Sequence, residues 1–124
     1  MKEPLWLDKE SILFAHGVSL ARFGGLEGVR DEGLLDSALA RPRNAFGYEQ
    51  AADIAASYAF GLIKNHAFND GNKRIAFLAA GVFLSQNGRM LVAQPSDAIS
   101  AVMALADGSI GELEFAAWLR ANLR

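Results

Sequence analysis

The apolar positions of this chain recur at helical spacing in about six blocks separated by Gly, Pro, Asn and Asp. Asp8 is placed to cap a first helix to about Arg22, in which Ile12, Leu13, Ala15 and Leu20 share a side, and Gly24-Gly25 ends it. His16 falls inside that helix and reads as a packed or hydrogen-bonded core residue. Asp31 caps a short helix from Glu32 to about Ala40, closed by Pro42. Arg41 to Glu49 has no helical period and reads as an irregular loop or small hairpin. From Ala51 or Asp53 to Asn65, Ile54, Tyr58, Leu62 and Ile63 form one face, and Ala55, Ala56, Ala59 and Gly61 permit close helix contact. Ile75 to Leu84 is an unbroken apolar run that predicts the central buried helix, ended by Asn87-Gly88. Met90 to Val92 reads as a short extended segment. Ser96 or Asp97 starts a helix to about Ala106, stopped by Asp107-Gly108, and Ser109 to Glu112 has capping-box spacing for a last helix to Arg124. The expected fold is all-α, a bundle of about six helices around a buried central helix, and the 124 residues form one domain.

Between the two most apolar blocks lies His66-Ala67-Phe68-Asn69-Asp70-Gly71-Asn72-Lys73-Arg74. Asn69 to Asn72 are poor helix-interior residues, so the next helix begins at Asn72 or Lys73. Its unpaired N–H groups and the positive end of its dipole attract anions, and Gly71 lets the backbone approach a ligand closely. Taken singly, each residue has an ordinary structural reading: a cap, a solvated Lys-Arg pair, an Asp-Gly turn. Together they gather an imidazole, a carboxylate, an amide and two cations in nine residues, which a plain turn does not need. A hydrolytic metal centre on His66 and Asp70 fails on inventory, because the chain has two His and no Cys. A P-loop is excluded by the missing upstream glycine and the missing Ser or Thr after Lys73.

The nonapeptide resembles the Fic/Doc signature, His-x-Phe-x-Asp/Glu-Gly-Asn-Gly/Lys-Arg, at all seven specified positions. With Lys73 in place of the second glycine it is most similar to the Doc branch, the death-on-curing toxins of bacterial toxin-antitoxin pairs. Phe23-Gly24-Gly25, Arg30-Asp31, Leu34 to Ala38, Pro42 to Tyr48, Phe83-Leu84 and Asn87-Gly88 extend the likeness over about residues 10 to 92. The resemblance implies ATP as co-substrate and Mg²⁺ bound through phosphates at Asp70, a hard oxygen ligand. It makes His66 the general base toward a protein hydroxyl, Arg74 a phosphate clamp and transition-state stabiliser, and Gly71, Asn72 and Lys73 nucleotide-binding residues, Asn72 through its side-chain amide. Phe68 anchors the turn. The segment holding Arg43, Phe46 and Tyr48 would be a flap that grips the target by strand addition.

In the Gly-Asn-Gly-Arg branch an AMP moiety is transferred. Here the Lys73 side chain crowds that polyphosphate path and favours the dianionic γ-phosphate beside His66, which predicts a protein kinase. The resemblance to the Doc branch implies elongation factor Tu as its target and arrested translation as the consequence. AMP transfer, and a non-catalytic protein that blocks translation by binding, are the alternatives. No Ser/Thr-x-x-x-Glu-Gly/Asn restraining helix is found, so the resemblance implies a separate antitoxin whose disordered C-terminal part folds onto the toxin.

Composition adds limits. A formal net charge of −2 gives no argument for nucleic-acid or membrane surfaces. The first ten residues lack an apolar signal core, and the longest apolar run is ten residues against the roughly 20 needed to span a bilayer. Absence of cysteine fits a cytoplasmic protein. The 52% hydrophobic share suggests a compact core or an apolar surface kept for a partner.

Overall fold

The computed structural model describes residues 3–44 and 50–124. Those residues form six helices: α1 (Lys9–Phe23), α2 (Glu32–Asn44), α3 (Ala51–Asn65), α4 (Asn72–Gln86), α5 (Pro95–Asp107) and α6 (Glu112–Ala121). The fold is all-α, as the apolar periodicity predicts. Asp8 caps α1 by accepting the Ser11 N–H at 2.8 Å, and Asp31 does the same for α2 from Leu34 at 2.9 Å. Gly24, Gly88 and Gly108 follow helix ends with positive φ, where a side chain would be strained.

The central helix is α3, not α4. Alanines at 52, 55, 56 and 59, with Tyr58, Gly61 and Leu62, bury α3 on nearly all sides. The apolar run of α4 instead turns Ile75, Ala76, Ala79, Ala80, Phe83 and Leu84 inward and leaves Leu78 and Val82 exposed. Small residues let α2, α4 and α6 approach α3 closely, and that packing outweighs the higher hydropathy of α4. Tyr58 ties the helix to the N-terminal segment: its hydroxyl accepts the Leu7 N–H at 3.1 Å and its ring tilts against Phe83 at 5.5 Å.

Three other expectations are corrected. Pro42 does not close α2: it lies buried inside the helix, and Arg41 to Asn44, including Arg43, are helical rather than loop. An interior proline costs about 3 kcal/mol through a lost hydrogen bond and a clash. Neighbouring contacts offset this, because the Arg41 guanidinium donates to Ser57 Oγ at 2.7 Å and to both Glu112 oxygens at 2.9 and 2.6 Å. Phe46 and Tyr48, the remaining flap residues, lie outside the described residues.

The expected box at Ser109 is replaced by Gly111 as N-cap, with Glu114 Oε1 accepting the Gly111 N–H at 3.1 Å. Glu112 is thereby freed to meet Arg41. Finally, α6 stops at Ala121, and residues 122–124 run antiparallel to the extended Met90 to Val92, with Val92 N–H donating to Asn122 O at 2.8 Å. Among the described residues no helix is long and apolar enough to cross a membrane.

Candidate active site

The site is the connection between α3 and α4, held in place by the connection between α1 and α2. Helix α3 ends on His66 in the left-handed conformation, φ 49° and ψ 51°. A non-glycine residue pays about 1–2 kcal/mol for this. Arg30 offsets the strain: its guanidinium donates to His66 O at 2.7 Å and to Asn65 O at 3.0 Å, satisfying the last carbonyls of α3 and complementing its dipole. The next residues are strapped to the α1–α2 connection by Arg30 N–H to Ala67 O at 2.7 Å and Asn69 N–H to Gly28 O at 3.1 Å. Between those bonds Phe68 points into the core, fully buried and stacked on the His16 ring. The imidazole of His66 stays exposed while its backbone is fixed.

Asp70 occupies the turn beyond. Its Oδ1 accepts the Gly71 N–H at 2.9 Å and its Oδ2 the Leu26 N–H at 3.2 Å. These two donors, Gly71 first, hold its carboxyl below the usual carboxylate range, and the Arg74 and His16 charges push the same way. Gly25 makes room for this arrangement: a Cβ there would lie 2.9 Å from Asp70 Oδ2, and its φ of +129° suits only glycine. Arg74 sits across the turn, donating from Nη2 to Gly24 O at 2.8 Å with its guanidinium 5.4 Å from the Phe23 ring centre.

These residues line one cleft. A cavity of about 730 Å³ is bounded by Phe23, Gly24, Gly25, Ile63, His66, Asp70, Gly71, Asn72, Lys73, Arg74 and Ala106. Another cavity of about 540 Å³ lies against Phe77, Ser85, Arg89 and Met90, and no residue of the nonapeptide lines it. The motif cleft thus joins an ionised carboxylate, two cations, an imidazole and the N-terminus of α4. A helix start leaves its first N–H groups without intrahelical partners, so the α4 end of the cleft suits phosphate oxygens.

One site residue has a structural role as well. The Asn72 side chain is buried, and both its polar atoms are committed to Phe68: Oδ1 accepts the Phe68 N–H at 3.1 Å and Nδ2 donates to Phe68 O at 3.0 Å. Asn72 therefore shapes the turn through both polar atoms of its side chain, and its Nδ2 carries one N–H beyond the one given to Phe68. The local reading missed the supporting roles of three residues. Arg30 and Gly25 come from the α1–α2 connection. His16, which the sequence reads as packed or hydrogen-bonded within α1, is both, buried with its Nε2 2.7 Å from Asp70 O, and only its partner has no local signal.

The sequence profile of the Fic/DOC family matches residues 6–84, which hold α1 to α3, α4 as far as Leu84, and the whole cleft turn. The chain belongs to the Fic/DOC family. Among curated relatives it is similar to "Toxin Doc" of Mycolicibacterium smegmatis, 46% identical over 92 residues that cover 71% of this chain and 68% of that protein. It is also similar to "Protein kinase doc" of Escherichia phage P1, 32% identical over 92 residues covering 72% and 73% of the two chains. The matched span contains the turn that the α1–α2 connection clamps in this structure.

Mg²⁺ fits the donor set. Each Asp70 oxygen accepts one N–H, and a carboxylate has about four acceptor positions, so capacity remains for a hard cation. No group of three or more potential ligands occurs among the described residues, so the ion would need phosphate oxygens to complete its shell, as Mg²⁺ commonly does.

Proposed function

We propose that this protein is the toxin of a bacterial toxin-antitoxin pair, and that it is a kinase transferring the γ-phosphoryl group of ATP to a hydroxyl of a target protein. The observation that carries the reading is the shared cleft: the α4 N-terminus, Lys73 and Arg74 supply positive charge beside Asp70, with His66 on the same cavity. The relative named a protein kinase supports the direction of transfer.

In this reading His66 takes the proton of the incoming hydroxyl, and the hydroxyl oxygen forms a bond to the γ-phosphorus as the bond to the bridging oxygen breaks and ADP leaves. Arg74 keeps N–H donors beyond the one given to Gly24, and these hold phosphate oxygens as charge shifts. Asp70 would hold Mg²⁺, which would supply charge neutralisation to the phosphate groups. Lys73, exposed at the cleft, attracts the most charged end of the nucleotide. The target is elongation factor Tu, the compartment is the cytoplasm, and a cognate antitoxin with a disordered C-terminal segment restrains the enzyme.

Parallel reactions with ATP labelled at the α- or the γ-phosphate test the transfer. Label on protein from the γ position alone is expected, and Lys73→Gly weakens that preference. Label from the α position alone means AMP transfer and removes the kinase reading. The toxin reading has its own test, since expression of the active chain without its partner is expected to arrest bacterial growth. Harmless expression to high level counts against it.

A further inference from the structure

His16 repeats at helical spacing with Ile12 and Leu20 and is 4% exposed. Its ring lies parallel to Phe68, 3.8 Å between centroids at 19°, so its plane is set by the core. From there Nε2 reaches Asp70 O at 2.7 Å. A carbonyl oxygen can only accept, so Nε2 carries the proton and donates. The same peptide unit is held at its other end, where the Gly71 N–H donates to Asp70 Oδ1 at 2.9 Å.

That peptide precedes a residue in the left-handed conformation, Gly71 at φ 75° and ψ 18°, where a rotation of the peptide plane meets little steric resistance. Such a rotation would exchange the directions of the Asp70 carbonyl and the Gly71 N–H. It would turn a carbonyl oxygen, partially negative, toward Asp70 Oδ1, which now accepts the Gly71 N–H, and so disturb the turn that leads into α4. The approach is close as well, since a Cβ on Gly71 would lie 3.4 Å from His16 Nε2 and 3.3 Å from Arg74 Nη2.

We propose that His16 is a positioning residue, which fixes the orientation of the Asp70–Gly71 peptide and thereby keeps the Gly71 N–H on the Asp70 carboxylate and the α4 terminus open to phosphate. It touches no reacting atom in this role. The consequence for catalysis rests on the kinase reading above, but the consequence for the peptide does not.

The test compares the wild-type chain with His16→Gln, whose amide N–H has similar reach, and His16→Met, which fills space without a donor. Hydrogen exchange of the Gly71 amide is measured without nucleotide, together with kcat and the KM for ATP in the transfer assay. Loss of one such hydrogen bond is expected to lower Gly71 protection about tenfold in His16→Met, with exchange at Tyr58 in α3 unchanged and the KM for ATP raised. His16→Gln is expected to restore most of both. Unchanged Gly71 protection in His16→Met overturns the proposal, as does equal loss in a folded His16→Gln. Should the wild-type chain transfer no phosphate while Gly71 protection still follows the residue at 16, the functional reading fails and the positioning role stands.

Discussion

Replacing His66 is expected to cost about 10² to 10⁴ in transfer rate, the usual range for removing one positioned base. The side chain is exposed, so its loss removes little packing, but its backbone is left-handed and the choice of replacement matters. Alanine is poorly suited to φ 49°, whereas asparagine is enriched there. His66→Ala should therefore lose the rate and some stability, and His66→Asn should lose the rate with a thermal midpoint close to wild type. Arg30 continues to cap Asn65 O and residue 66 O in both, because it contacts backbone. The measurement is γ-label transfer to target protein alongside thermal unfolding of both variants. Wild-type turnover in His66→Asn would remove the imidazole from the mechanism.

The local chemistry of this cleft was legible because it is contiguous. His66, Asp70, Gly71, Lys73 and Arg74 sit in nine residues, and a turn between two helices can only bring them to one place. Helix ends were legible for a similar reason: Asp8 and Gly24 act on N–H and C=O groups within a few positions. What stayed hidden depends on partners distant in the chain. His16 meets a carbonyl 54 residues away and Arg30 one 36 residues away, and neither pairing leaves a local pattern.

Hydropathy points to α4 as the central helix because it ranks side chains by their own apolar surface. Ala52, Ala55, Ala56 and Ala59 score low individually and are buried because their small size lets neighbouring helices close in. An unbroken apolar run, by contrast, has no phase, so nothing in Ile75 to Leu84 singles out Leu78 and Val82 as the exposed positions. Pro42 misled in the same way. Its local signal ends a helix, and the Arg41 contacts with Ser57 and Glu112 that accompany the continuation come from two other helices.

Asp70→Asn is expected to lower the transfer rate by about 10² to 10³, on the order expected when charge stabilisation worth several kcal/mol is removed with a metal ligand, and to raise the Mg²⁺ concentration needed for half-maximal rate. The change is nearly isosteric. The amide oxygen can still accept the N–H of Gly71 or Leu26, so the turn keeps most of its shape while its only carboxylate is lost. The pH profile carries a further expectation. Because the Asp70 carboxyl is held below its ordinary value by the Gly71 and Leu26 N–H groups, its contribution to order in the turn is complete above about pH 4, and is lost as pH falls through the lowered value. It does not titrate between about pH 5 and 8. The shape of the rate profile in that window should therefore be the same in Asp70→Asn as in the wild type, with the amplitude reduced throughout. Rate profiles at several Mg²⁺ concentrations measure both effects. A variant that kept the wild-type rate at the wild-type Mg²⁺ requirement would show that the carboxylate anchors the turn through Gly71 and Leu26 and takes no part in holding the nucleotide.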